Sequence, residues 1–272
     1  LCNAFHSSDR SAHMKYHSLP GIGPDVTGSN PTGADALDVR IYSDVVCPWC
    51  YIGKRRFEAA LALPECPPVR DRWMPFQLDP GAPAQGEPVA EAYAKKFGGA
   101  ARAQQIMAQV TEAAAGEGLE FHLDRAIRSN TFDAHRLLWW AGSVGANPET
   151  STSTSTSTGS GSGSGSARLP GQQSALKESL LAAYFNEGLD VSDHRVLAAR
   201  AAEVGLDTDQ ATEVLASGTG TDEVRSELAD AMAHDVTAVP TFILDGRLAI
   251  PGAQDPATIA RHLARIAAST TQ

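Results

Sequence analysis

Residues 38–46 (DVRIYSDVV) alternate polar and apolar positions before turning apolar, the pattern of a strand entering a core. A helix is predicted next: Pro48 suits a first helical turn, and Trp49, Ile52, Phe57, Ala60 and Leu61 recur at helical spacing until Leu63 and Pro64. Residues 69–76 (VRDRWMPF) predict a second strand, and Pro75 within it favours a sheet edge. Helical periodicity then dominates to His234, over 90–97, 101–115, 132–144, 174–186, 194–204, 209–216 and 222–233. The pattern finally returns to a short strand at 241–244, an Asp245-Gly246 turn, a strand at 248–250 and an amphipathic helix over 256–268. Strand, helix, strand, many helices, strand, turn, strand, helix is the order of one α/β mixed sheet with a large all-helical insertion.

Two stretches are set apart by composition. Residues 1–37 mix Ser, His, Gly and Pro without period and are expected to form a disordered arm. Its histidines are joined by no Cys or carboxylate cluster at ligand spacing. Residues 150–166 pass from Ser-Thr to Gly-Ser alternation, which offers no apolar face and predicts a flexible tether inside the helical region. The expected divisions are 1–37, 38–84 for the first half of the sheet domain, 85–234 for the insertion with the tether at 150–166, and 235–272 for the second half.

Charge narrows the partners. Of 272 residues, 22 are basic and 32 acidic, a formal net charge of -10, which argues against a nucleic-acid footprint. No window reaches the roughly 18 consecutive apolar residues of a membrane span, and the first thirty or so positions lack the basic-then-apolar order of a secretory leader. A cytoplasmic protein with no membrane association is expected. Four cysteines, Cys2, Cys47, Cys50 and Cys66, are too few for a disulfide-stapled scaffold.

Their spacing carries the chemistry. Cys47-Pro48-Trp49-Cys50 lies where the first strand hands over to the first helix. A cysteine at a helix start faces unsatisfied N–H groups and the positive end of the helix dipole, which favour the thiolate and make Cys47 the expected nucleophile. Cys50, one turn on, is placed to attack a mixed disulfide on Cys47. A zinc site needs further ligands, and Cys2 and Cys66 make no second pair, so no metal is expected. A structural disulfide across one turn closes too short a loop to stabilise much. Val239-Pro240-Thr241 precedes the third strand; a trans turn is the plain reading, whereas a cis peptide turns the Val239 backbone outward to pair with an extended substrate.

Cys47-Pro48-Trp49-Cys50 after a strand, the segment 237–242 (TAVPTF) and the intervening helices resemble the DsbA-like branch of the thioredoxin superfamily. The chain is most similar to its FrnE-like members, through residues 50–54 (CYIGK), 129–136 (SNTFDAHR) and 252–254 (GAQ). The likeness spans about residues 38–268 apart from the tether. It implies a thioredoxin-like mixed sheet with a helical insertion, Pro240 cis and opposite the cysteines, and thiol-disulfide oxidoreductase activity in which Cys47 attacks and Cys50 resolves. Trp49, Val239, Pro240 and Thr241 are then the expected substrate-binding residues, and the partners are protein or small-molecule thiols and disulfides. No bound cofactor is implied, with glutathione open as a co-substrate. Trp49 stands where strongly oxidising members carry a His, so a less oxidising couple is expected. The architecture also resembles glutathione-dependent 2-hydroxychromene-2-carboxylate isomerases and kappa-class glutathione transferases, which carry serine where Cys47 stands. A non-catalytic binding protein is the third alternative.

The remaining polar residues have plainer readings. Lys54, Arg55 and Arg56 are expected to form a solvated basic face. Ser129 or Thr131 is the expected cap of the 132–144 helix, Asp133 favours its first turn, and His135 is expected to be a satisfied structural histidine. Trp139 and Trp140 cannot share one helix face, so one belongs to the core and the other to a cleft or partner surface. Cys66, between prolines, is expected to be a free thiol.

Overall fold

The apolar alternation of residues 38–46 builds the centre of a four-stranded sheet. The computed structural model describes residues 36–144 and 171–270. The arm expected at the N-terminus, Cys2 within it and the tether expected at 150–166 lie outside the described residues, except that Leu37 opens the first strand instead of closing the arm.

Strand β1 (Leu37–Ser43) leads through a short turn to helix α1 (Pro48–Leu61) and back to β2 (Val69–Pro75), which pairs parallel to β1 with Leu37 opposite Val69 and Ser43 opposite Pro75. The strand predicted to run to Val46 stops at Ser43, because residues 44–47 turn the chain into the helix. Order β2-β1-β5-β6 leaves β2 at an edge, where a proline costs no ladder hydrogen bond.

Next come β3 (Glu87–Pro88), α2 (Val89–Phe97), α3 (Ala100–Gly116), a short 3-10 turn (Leu123–Arg125) and β4 (Ile127–Arg128). The two-residue strands β3 and β4 pair antiparallel, a ribbon too short to leave a periodic signal in the sequence. Helices α4 (Phe132–Val144), α5 (Gln172–Phe185), α6 (His194–Glu203), α7 (Thr208–Ser217) and α8 (Thr221–Ala233) follow, close to the predicted spans. The chain then re-enters the sheet through β5 (Thr241–Leu244), antiparallel to β1, turns at Asp245 and Gly246 with positive φ at both, and returns as β6 (Leu248–Pro251) before α9 (Pro256–Thr270).

Three apolar clusters organise the described residues, one of them around the cysteine pair on the Tyr42 and Ile243 side of the sheet. Val39 and Ile41 on one face of β1 join Phe57 and Ala60 of α1 and Ile259 and Leu263 of α9. The largest belongs to the helices, where Leu137, Leu176, Leu180, Tyr184 and Phe185 pack with Val45, Tyr51 and Ile52 at the strand-to-helix junction. Helix α1 therefore lies between sheet and insertion, and its first turn sits at the seam.

The basic run on α1 is not a solvated face. Lys54 is only 2 % exposed and pairs with Glu178 of α5 at 2.9 Å and with Glu58; Arg55 pairs with Glu58 at 3.1 Å and with Glu178. Arg56 reaches Glu117 at the end of α3 at 2.6 Å and the Ala253 carbonyl at 2.7 Å. The three cations tie α1 to the insertion, a role that helical spacing alone does not separate from exposure. Trp140 is core, while half-buried Trp139 packs on Gly220, where an added Cβ would lie 2.7 Å from its ring.

Candidate active site

Cys47 is the residue before the first turn of α1, in extended conformation (φ -95°, ψ 115°), with Pro48 at a position whose N–H would have no helical partner. Its carbonyl accepts the N–H groups of Cys50 (3.0 Å) and Tyr51 (3.3 Å), so the helix starts on the nucleophile candidate itself. Cys47 is 4 % exposed and Cys50 fully buried, and both are free thiols. With Tyr42, Met74, Ala231, Val236, Val239 and Ile243 they form an apolar cluster against which Trp49 packs; Trp49 also touches the helical core.

The Val239–Pro240 peptide is cis and faces this pair. The Cys47 thiol donates to the Val239 carbonyl at 3.7 Å. The Pro240 carbonyl accepts the Gly252 N–H at 2.7 Å, and Thr241 Oγ1 donates to the Ala238 carbonyl at 2.7 Å. Thr241 is paired by register with Tyr42 of β1, so its side chain braces the loop from within the sheet. Cys47, Cys50, Trp49, Val239 and Pro240 thus come together at one end of the sheet, with Thr241 immediately behind them.

Burial and their mutual contact act on both thiols of the pair. The hydrogen bond to Cys50, followed by burial, pushes the Cys47 thiol well up. Burial also opposes ionisation of Cys50. That burden is outweighed by the hydrogen bond from Cys47, the Lys177 ammonium and Ser43, which hold Cys50 below the ordinary thiol range. The open end of α1 favours charge at Cys47 and so opposes the upward shift of its thiol.

Beneath the pair lies a buried polar cluster that sequence reading missed or placed elsewhere. Asp44 is fully buried and accepts the N–H groups of Val45 (2.8 Å) and Leu78 (2.7 Å). Burial opposes its ionisation, but His135, Leu78 and Lys177 hold its carboxyl below the usual range. His135 Nε2 lies 3.3 Å from Asp44 Oδ1 and 3.1 Å from the Phe76 carbonyl. Burial pushes its pKa down, and two acceptors at one nitrogen place a hydrogen on Nε2. Burial and then the charge of Cys47 push the Tyr93 phenol, from α2, up to about 12.

Other polar residues singled out in the sequence have structural duties. Asn130, not Ser129 or Thr131, supplies the side-chain oxygen at the start of α4, accepting the Phe132 N–H at 3.0 Å. Asp133 sits in that first turn and pairs with Arg136 and His194 at 2.7 Å each. Cys66 is half-buried against the sheet–α9 core, apart from the dithiol cluster, and burial pushes its thiol up. Among the described residues no group of three or more His, Cys, Asp or Glu could hold a metal ion, and no helix is long and apolar enough to cross a membrane.

The chain is similar to known proteins in sequence and in fold. The chain is 29% identical over 218 residues to YwbO of Bacillus subtilis (strain 168), covering 80% of this chain and 90% of that one. The solved structure described as "probable DsbA oxidoreductase SCO1869" from Streptomyces coelicolor superposes with a TM-score of 0.70 at 30% identity, covering 84% of this chain and 89% of that one. The cytosolic disulfide reductase DsbM of Pseudomonas aeruginosa shares the fold, with a TM-score of 0.52 at 18% identity over 86% of this chain and 97% of that one. A family model for the DSBA-like thioredoxin domain matches residues 38–154 and 163–264, and the chain belongs to that family.

Proposed function

We propose that this protein is a thiol-disulfide oxidoreductase whose working couple is the Cys47–Cys50 dithiol and disulfide. The observation that carries this reading is the placement of Cys47 at the open end of α1, 3.7 Å from the carbonyl of the cis Val239–Pro240 peptide, with Cys50 buried one turn behind it. Cys47 attacks a substrate disulfide, forming a mixed disulfide and expelling one substrate sulfur. Cys50 then attacks Cys47, forming the intramolecular disulfide and releasing the second substrate sulfur as a thiol. Trp49 and the Val239–Thr241 segment are the surface on which the substrate lies, its backbone beside Val239 in the manner of an added strand. The substrate is a protein or small-molecule disulfide. The apolar Trp49 between the cysteines supports a less oxidising couple, and with it a reducing or isomerising role in the cytoplasm with glutathione as an eventual reductant.

The test is disulfide reductase turnover on insulin. Cys47→Ser is expected to abolish it and Cys50→Ser to accumulate a mixed disulfide at Cys47. Wild-type turnover in both variants would refute the reading. Glutathione-dependent isomerisation surviving in Cys47→Ser would instead place the chain with the isomerases.

A further inference from the structure

Two walls of the dithiol cluster run on past the cysteines to a cavity that the exchange reaction leaves unassigned. One wall is α8. Arg225, Leu228 and Met232 follow at intervals of three and four along one stripe of that helix. Arg225 and Leu228 line the cavity, whereas Met232, 77 % exposed, stands next to Ala231 of the Cys47 cluster. The other wall is the segment after β2, in which Phe76 packs against that cluster and Gln77 and Pro80 line the cavity. The cavity measures about 600 Å³, and the starts of α4 and α6 supply much of the rest of its lining, Phe132, Asp133 and His194 among it. Its polar groups are mostly spent. Asn130 accepts the Phe132 N–H and donates to the Pro80 and Ala82 carbonyls, Ser192 donates to Asp190, and Asp133 pairs with Arg136 and His194. Arg225 is the exception. It makes no hydrogen bond among the described residues, and its ion-pair partner Asp222, a neighbour on α8, lies 3.6 Å away and is 94 % exposed. Its guanidinium lies 5.8 Å from the centre of the Phe132 ring, a placement that orients the group and leaves its edge donors open.

Resting on the oxidoreductase reading above, we propose that this cavity is a second substrate subsite, which takes the carboxylate side chain of an acidic residue flanking the peptide disulfide, with Arg225 as its specificity-determining residue. The carboxylate accepts hydrogen bonds from the open edge of the guanidinium, and the side chain's methylenes lie against Phe132 and Leu228. Spacing along α8 sets where the acid must stand. From Arg225 to Ala231 the helix rises about 9 Å, which about three residues of an extended chain span. Side-chain reach at either end lengthens the path, so the acid falls about three to five positions from the reacting cysteine. The thiol–disulfide exchange is the one described above, and the subsite adds binding to it. It selects acidic peptides locally on a chain whose net charge of -10 repels them overall.

The experiment uses disulfide-linked homodimers of a short peptide with one central cysteine, so that either sulfur offers Cys47 the same flanking residues. One position at a time, on either side of the cysteine, carries Asp, Asn or Lys. The reduced full chain with Cys2→Ser and Cys66→Ser is mixed with each peptide at physiological salt, and the second-order rate constant for release of peptide thiol is read after acid quenching. The readout is the ratio of the Asp to the Asn peptide within each chain, which cancels any loss common to both. In the wild type this ratio is expected to reach about fivefold at a position about three to five residues from the cysteine and to stay near one elsewhere. Arg225→Gln should bring it to about one at every position and Arg225→Lys should keep part of it. Arg225→Glu should turn the preference to the Lys peptide, a reversal that a structural role for Arg225 does not predict. Asp and Asn peptides reacting alike in the wild type, or an Asp preference that persists in Arg225→Gln, would overturn the subsite while leaving the oxidoreductase reading intact. Failure of the wild type to release thiol from any peptide would defeat that reading itself, and the subsite with it.

Discussion

Gly53 lies directly under Pro240: a Cβ built on Gly53 would come within 2.7 Å of the proline Cγ and 3.6 Å of the Ala253 Cβ. The missing side chain lets the first turns of α1 and the cis-proline segment touch, so the distance between Cys47 and Val239 depends on this contact. Gly53→Ala is expected to push the Pro240 segment off α1, lowering disulfide reductase turnover about tenfold or more. The overpacking should cost about 1–3 kcal/mol of stability, more than any gain in helix propensity. Urea unfolding and turnover on the same preparation check both. Retention of wild-type turnover would show that the segment's position is not critical.

Much of this arrangement was legible in the residues. The strand-to-helix position of Cys47, the edge position of β2, the Asp245-Gly246 turn and nearly all the helix spans follow from periodicity and turn chemistry. The cluster under the cysteines does not. Lys177 sits among Leu176, Leu180 and Leu181, and in a helical pattern a lysine beside apolar residues is normally read as the edge of the solvated face. It is buried where α5 passes across β2 and α1. The same limit governs Lys54, whose burial depends on Glu178 arriving from a helix more than a hundred residues away.

Glu178 is the shared partner of Lys54, Arg55 and the Tyr51 hydroxyl, which donates to it at 2.7 Å. Glu178→Ala leaves the Lys54 ammonium in a site only 2 % exposed with Glu58 as its remaining acid. A loss of about 3 kcal/mol is expected, in the range for breaking a buried pair from one side. The double variant Lys54→Met/Glu178→Ala should recover part of it, a coupling read from a double-mutant cycle by urea unfolding.

Burial lowers the Lys177 pKa from 10.5 to about 8. Between those values the unfolded chain binds more protons than the native one, so this group makes stability rise with pH from about 8 to 10.5, and that contribution is absent below about 8. The full increment is about 3 kcal/mol. The difference in stability between wild type and Lys177→Met should therefore shift in favour of the wild type as pH rises from 7.5 to 9.5 or thereabouts. Parallel stability curves for the two chains would contradict the assigned burial of charge.

Cys66 packs with the sheet–α9 core and not with the dithiol cluster. Cys66→Ser should leave insulin reduction within about twofold of wild type and cost about 1 kcal/mol or less, since the site is half-buried. A collapse of turnover would make Cys66 a third redox partner.

The most direct test of the account is equilibration of the full chain in glutathione buffers of graded poise, followed by acid quenching and peptide mapping of the cysteines. The expected result is one two-electron transition in which the peptides bearing Cys47 and Cys50 become joined, with a midpoint more reducing than the roughly -120 mV of the strongest oxidants of this fold. Cys47 and Cys50 remaining unlinked across the whole range, or each carrying glutathione separately, would contradict it.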